Sequence, residues 1–228
     1  MTMSGKTIML LIAHPDDETR SSGTLAKLVK AGNKVVIVIA TNGDKGTHDA
    51  SVSPIQIAET RRQEMTRTAE ILGVEVVWLG FPDGSLEASP NLKEAVFRVI
   101  RQYRPNVCIT FDPFKKYDEH SDHMTIGRVG FEAAYLADGC WYFPEHMIAG
   151  IESCKPQEVY LFNPEVENYT VDIRDVYQIK MEAAEAHLSQ FKGKFQERME
   201  SLVATGRRSE EDLYHERFHK VYDSDLFL

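Results

Sequence analysis

The stretch Lys6-Thr-Ile-Met-Leu-Leu-Ile-Ala-His14, continuing as Pro15-Asp-Asp-Glu18, decides the fold. Ile8 to Ala13 is apolar without alternation, the pattern of a strand covered on both faces in a parallel sheet. Gly23 to Gly32 reads as a helix that stops on glycine, and Lys34 to Thr41 as a second strand rich in Val and Ile. The alternation continues with a helix over Pro54 to Gly73, a strand over Val74 to Gly80, a helix over Asn91 to Tyr103 and a strand over Asn106 to Asp112. Repeated βαβ units of this kind predict an α/β protein, an open and mostly parallel sheet flanked by helices. Further on, a helix from about Met124 to Ala137, a short strand near Val159 to Phe162 and helical stretches around Asp175 to Gln190 and Lys194 to Ala204 are expected. The polar tail Ser209 to Lys220 has helical spacing, and with no repeat or linker in view residues 1–228 read as one domain.

The composition sets the class of partner. In 228 residues, 26 Lys plus Arg stand against 35 Asp plus Glu, a net charge of −9, with 43% hydrophobic and 27% charged residues. That is enough apolar content for a sizeable core, and too much for a disordered chain. The acidic balance argues against coating nucleic acid, which needs a surplus of Lys and Arg on one face, and leaves small uncharged or cationic molecules as partners. No segment reaches the ~20 apolar residues of a membrane span, and the run at Ile8 to Ala13 is too short for a signal peptide. Cys108, Cys140 and Cys154 are odd in number and form no CxxC pair, which argues against a disulfide framework and for a reducing, cytoplasmic address.

In open parallel sheets ligands bind where the loops leave the carboxyl ends of the strands. Here those loops read His14-Pro-Asp-Asp-Glu18, Asn42-Gly-Asp-Lys-Gly46, Phe81-Pro-Asp-Gly84 and Asp112 through His123. There is no GxGxxG after the first strand, no GxxxxGK[ST] and no GxSxG, so dinucleotide, P-loop and serine-hydrolase chemistry are set aside. Gly43 to Gly46 reads as a turn. His14-x-x-Asp17 can hold a metal or form an Asx-type turn with a helix cap. His120-Ser-Asp-His123 supplies a second His/Asp cluster at the same edge. Together His14, Asp17 and His123 make a set of two His and one carboxylate with open positions for water and substrate. Asp122 is close enough in sequence to hold a ring nitrogen of His120 and favour its imidazolium form.

These residues resemble the PIG-L/LmbE family of zinc-dependent N-acetylglucosaminyl deacetylases. Ala13-His-Pro-Asp-Asp-Glu18 is similar to that family's AHPDDE signature and His120-Ser-Asp-His123 to its HPDH segment. Arg61-Arg-Gln-Glu64, Leu79-Gly-Phe-Pro-Asp-Gly84, Thr110-Phe-Asp-Pro113 and the Lys180 to Gln190 helix extend the similarity over residues 6 to 190. The resemblance implies a Rossmann-like fold and Zn2+, or another divalent metal such as Fe2+, on His14, Asp17 and His123. It further implies Asp16 as general base, His120 as electrophile or acid steadied by Asp122, and Arg61 and Asp83 at the substrate. Its precedent is a homo-oligomer acting on a small amino-sugar substrate, with no nucleic acid or membrane partner.

The sequence departs from the family in places. Lys115-Lys-Tyr-Asp-Glu-His120 stands where the family often has GGYGH, Ser22-Gly23 replaces Gly-Gly, and Tyr117 is one position too far from His120 to be given a catalytic role. The charges at Lys115, Lys116, Asp118 and Glu119 point to a different substrate. His187, near a helix end, reads equally as a surface imidazole or as a residue near the site. Two other functions use the same residues: a non-haem iron enzyme, since two His and one carboxylate also make an iron site, and a non-catalytic carbohydrate-binding or metal-storing protein. Asp16 separates them, because oxygen chemistry and storage do not need it.

Overall fold

A computed structural model describes residues 4–118 and 120–221. Its strands are β1 (Thr7–Ile12), β2 (Lys34–Thr41), β3 (Glu75–Phe81), β4 (Val107–Phe111), β5 (Glu158–Phe162), β6 (Tyr169–Asp172) and β7 (His215–Val221). They form one sheet in the order β3-β2-β1-β4-β5-β7-β6, parallel from β3 to β5. β1 lies near the middle, and Ile8 to Ala13 are completely inaccessible, as expected of an unbroken apolar run. Among the described residues no helix is long and apolar enough to cross a membrane, and the three cysteines are free.

The helices are α1 (Ser22–Lys30), α2 (Pro54–Leu72), α3 (Pro90–Tyr103), α4 (Ser121–Leu136), α5 (Pro144–Ile148), α6 (Tyr177–Glu185), α7 (Leu188–Phe191) and α8 (Phe195–Ala204). Local chemistry sets the ends of α2. Ser53 and Gln56 form a reciprocal capping box, Pro54 occupies the first turn, and Gly73 closes the helix at φ 70°. α4 lies close on β4 because Gly127 faces the strand, where an added Cβ would fall 2.8 Å from the Phe111 carbonyl oxygen. That approach brings the start of α4 to the end of β4.

Several elements differ from the sequence reading. The tail expected to be helical forms β7, antiparallel to β5 and β6, with Glu216 and Phe218 turned inward. Its interleaved Glu, Arg and Lys imitate a helix face, but the open edge of β5 needs a partner and the residues alternate with period two. β6 was not anticipated, because its four residues are only half-buried and carry no apolar run. Helix α4 also begins three residues earlier than expected, which takes Asp122 and His123 into its first turn.

Candidate metal centre and active site

The order of strands reverses between β1 and β4, so the loops after these two strands diverge and leave a crevice at their carboxyl ends. His14 follows β1 directly. Its backbone N–H donates to Asp17 Oδ2 (2.8 Å), so the Asx-type turn and the carboxylate presentation are the same structure. Asp17 opens a short 3-10 turn, Asp17–Arg20, and its carboxylate lies between His14 Nδ1 (3.4 Å) and His123 Nε2 (3.1 Å). Nitrogens of His14, His120 and His123 come within 4.8 Å of one another, and so do donors of His14, Asp83 and Asp122. His123 stacks on Phe111, with ring centroids 4.1 Å apart, and its Nδ1 is 3.6 Å from Asp118. His120 stands at the N-cap position of α4 without its side chain bonding the helix amides, and is the one exposed imidazole of the three.

The electrostatics suit a cation. Burial disfavours a charged His14, but the carboxylates of Asp122, Asp17 and Asp83 outweigh it and push this imidazole up to about 11. Burial also opposes ionisation of Asp17, yet hydrogen bonds from His123 and His14 hold it well below the usual carboxylate range. Such a cage of anionic oxygens and imidazoles stabilises a positive centre, and a divalent metal in exchange for the proton fits this donor set. His120 differs: burial and the charges of His14 and His123 lower it, which keeps the ring neutral.

Asp16 sits beside this centre in a backbone conformation rare for a residue with a Cβ, φ 122° and ψ −15°. Four contacts hold it there. Glu18 Oε2 accepts the Asp16 N–H (3.1 Å), the Thr19 hydroxyl donates to the Asp16 carbonyl (2.7 Å), and Arg61 Nη2 donates to Pro15 O (2.6 Å) and Asp16 Oδ1 (3.1 Å). Burial and the neighbouring Asp17 raise the Asp16 carboxyl to about 7 against the pull of Arg61.

Several residues do other work than the sequence suggested. Asp122 does not steady His120: its Oδ2 lies 3.2 Å from His14 Nε2, and the carboxylate also accepts the backbone N–H of Gly84 and Leu86. Arg61, expected at the substrate, is buried, and besides its bonds to Pro15 and Asp16 it donates to Gly43 O. Gly46 is glycine because Arg61 passes there, a Cβ falling 2.3 Å from its Nη1. Asp83 is likewise buried, 3.1 Å from His14 Nε2 and accepting the Lys45 N–H. His187 is not on the surface but completely buried against Glu18. In the charged loop, Asp118 accepts the His120 N–H, Lys115 donates to Asn163 and Tyr117 is exposed, while Glu119 lies outside the described residues. Sequence reasoning overlooked Asp118 as a neighbour of His123, and its nearness to the second histidine motif was the available signal.

An open α/β sheet with an imidazole and carboxylate centre at its switch point presents a cation-binding crevice to a small molecule. The GlcNAc-PI de-N-acetylase (PIG-L) family profile matches residues 9–134, and the chain belongs to that family. Diacetylchitobiose deacetylase of Thermococcus kodakarensis is 36% identical over 188 residues, 82% of this chain and 70% of the relative. Mycothiol S-conjugate amidase of Streptomyces coelicolor is 37% identical over 154 residues, 56% of this chain and 52% of the relative, so the chain spans about half of that protein's length. Among solved structures, N,N'-diacetylchitobiose deacetylase from Pyrococcus horikoshii superposes with a TM-score of 0.87 at 28% identity, covering 95% of this chain and 84% of that one. The 4-carboxy-2-hydroxymuconate hydratase GalB of Pseudomonas putida shares the fold, with a TM-score of 0.74 at 20% identity over 95% of this chain and 96% of its own. The same sheet therefore carries more than one reaction, and the site decides which.

Proposed function

We propose that this protein is a metal-dependent hydrolase that removes the N-acetyl group from an N-acetylglucosamine-type amino sugar. The observation that supports it most is Asp16, raised to about 7, held beside an imidazole and carboxylate cage that favours a cation. The activities of the deacetylase relatives point the same way.

His14, Asp17 and His123 would hold zinc, or Fe2+ in its place, with Asp122 and Asp83 fixing the His14 ring. Bound there, zinc would supply Lewis acidity toward an acyl oxygen and toward water near neutral pH. The residues of the chain do the rest. Asp16 takes the proton of the attacking water, and its raised carboxyl is matched to that task. Arg61 keeps the Asp16 carboxylate oriented. His120, neutral and exposed, donates a hydrogen bond to the carbonyl oxygen as charge develops on it, worth a few kcal/mol where well aimed. The carbonyl–nitrogen bond breaks, the amine nitrogen takes the proton that Asp16 accepted from the water, and acetate and the free amino sugar leave.

The reading includes a small-molecule substrate, a cytoplasmic setting, one domain and self-association, the last testable by sedimentation. The deciding experiment is metal content together with acetate release from N-acetylglucosamine and its conjugates, for wild type and Asp16→Asn. Bound metal in both proteins, with acetate released by wild type alone and no oxygen consumed, is the expected result. Bound metal without release from any conjugate overturns the deacetylase reading.

A further inference from the structure

A cleft of about 610 Å³ opens from Asp16 and Asp17 and runs outward past α8 and β7. That volume accommodates a small sugar conjugate. Its wall gathers Arg20, Lys180, Arg198, Arg207, Arg208 and Arg217, on a chain whose net charge is −9. Two of these are engaged. Lys180 donates to Glu216 (2.5 Å), and Arg217 pairs with Asp212 and with Glu167 (3.4 Å). The acidic groups of the wall are engaged as well, because Asp16 meets Arg61 and Asp17 meets two imidazoles.

What is left is of one sign. Among the described residues Arg20, Arg198, Arg207 and Arg208 have exposed side chains and no carboxylate or side-chain hydrogen-bond partner. They come from three places in the chain. Arg20 ends the 3-10 turn that begins with Asp17, Arg198 lies on α8, and Arg207 and Arg208 follow that helix. Four uncompensated guanidinium groups around one concave wall concentrate positive potential, and their planar donor forks match carboxylate and phosphate oxygens. A neutral oligosaccharide in this cleft would leave all of them unanswered.

We propose that this cleft binds an anionic group, a carboxylate or a phosphate, carried by the amino-sugar substrate, on Arg20, Arg198, Arg207 and Arg208. The proposal rests on the deacetylase reading and names its substrate class. It also reverses locally what overall charge suggested, since the acidic balance had left uncharged or cationic partners.

The test compares acetate release from neutral N-acetylglucosamine and diacetylchitobiose with release from N-acetylglucosamine 1-phosphate, its 6-phosphate and N-acetylmuramic acid. At least one anionic substrate is expected to exceed the neutral ones in kcat/KM by about tenfold, an advantage that shrinks as salt rises from about 0.05 to 0.3 M. R207S/R208S is expected to lower the anionic-to-neutral ratio by about tenfold. R67S, an exposed arginine on α2 paired with Glu70 away from the cleft, leaves the ratio unchanged. Preference for the phosphates or for the muramic acid tells which anion is read. Calorimetric titration with the corresponding free amines and with glucosamine gives a readout without turnover. Equal handling of neutral and anionic ligands in both measurements overturns the cleft proposal and leaves the deacetylase reading standing. Arginine-dependent binding of an anionic amine without acetate release from any substrate keeps the cleft and overturns the deacetylase reading.

Discussion

Glu18 and His187, 169 residues apart, meet with both side chains completely buried, Oε1 to Nε2 at 2.8 Å. The other Glu18 oxygen accepts the Asp16 N–H, so a residue at the start of α7 reaches the proposed general base through one carboxylate. His187→Ala leaves that carboxylate without a cation in a closed pocket. The expected cost is about 3–5 kcal/mol of stability in urea unfolding. A fall in kcat of about tenfold or more is expected with metal content held. A folded variant with unchanged kcat would remove His187 from any positioning role.

The same pair makes stability depend on pH. Burial disfavours a charged His187, but the Glu18 carboxylate outweighs it and raises the imidazole above its ordinary value. A raised folded-state pKa contributes stability that is complete below the ordinary value of about 6.5 and is lost as pH rises through the raised one. Wild type should therefore exceed His187→Gln most at pH 6, with the gap narrowing toward pH 9. Urea midpoints at the two pH values measure it, and a gap that stays constant would mean that no ionic pair forms.

Asp16 is held at φ 122°, a region that glycine enters freely. Relief of this strain is worth about 1–3 kcal/mol. Asp16→Gly should therefore melt at a higher temperature than Asp16→Ala, while both lose acetate release by a factor of 100 or more, roughly the contribution of a general base. Equal melting temperatures for Gly and Ala would show that the conformation costs nothing.

Metal removal should be felt as instability as well as inactivity. His14 lies against the carboxylates of Asp17, Asp83 and Asp122, and without a divalent ion the single proton on His14 has to answer all three. Chelator treatment should lower the melting temperature and zinc should restore it, by about 4 kcal/mol at a thousandfold excess over Kd. Asp17→Ala should abolish this response, whereas Asp16→Asn should keep it. A chelator shift that survives in Asp17→Ala would place the ion elsewhere.

How much of this was legible varied with the kind of interaction. Strands β1, β2 and β4 announce themselves as unbroken apolar runs, and the four polar loops after β1, β2, β3 and β4 are neighbours in the sheet. His14, Asp16 and Asp17 could be placed because they are local to one strand end, and His120 with His123 because they begin one helix. What stayed hidden depends on long-range packing. Nothing near Arg61 says that its guanidinium will thread past Gly46 to the Pro15 carbonyl, nor does the sequence around His187 reveal a partner at Glu18. Asp122 was assigned to its neighbour His120 by proximity in sequence, and the turn of α4 carried it to His14 instead. β7 was mistaken for a helix because the edge it completes lies more than fifty residues earlier in the chain.

That last strand also sets an order of events. Glu216 on β7 accepts the N–H groups of Gly23 and Thr24 at the start of α1, which directly follows the Asp17–Arg20 turn. During synthesis the first strands emerge and can pair early. The amides at the head of α1 wait for a carboxylate 193 residues downstream. The Asp17–Arg20 turn therefore acquires this anchor only once residue 216 has been translated, and a nascent chain stalled before that residue carries every proposed metal ligand without the clasp behind them.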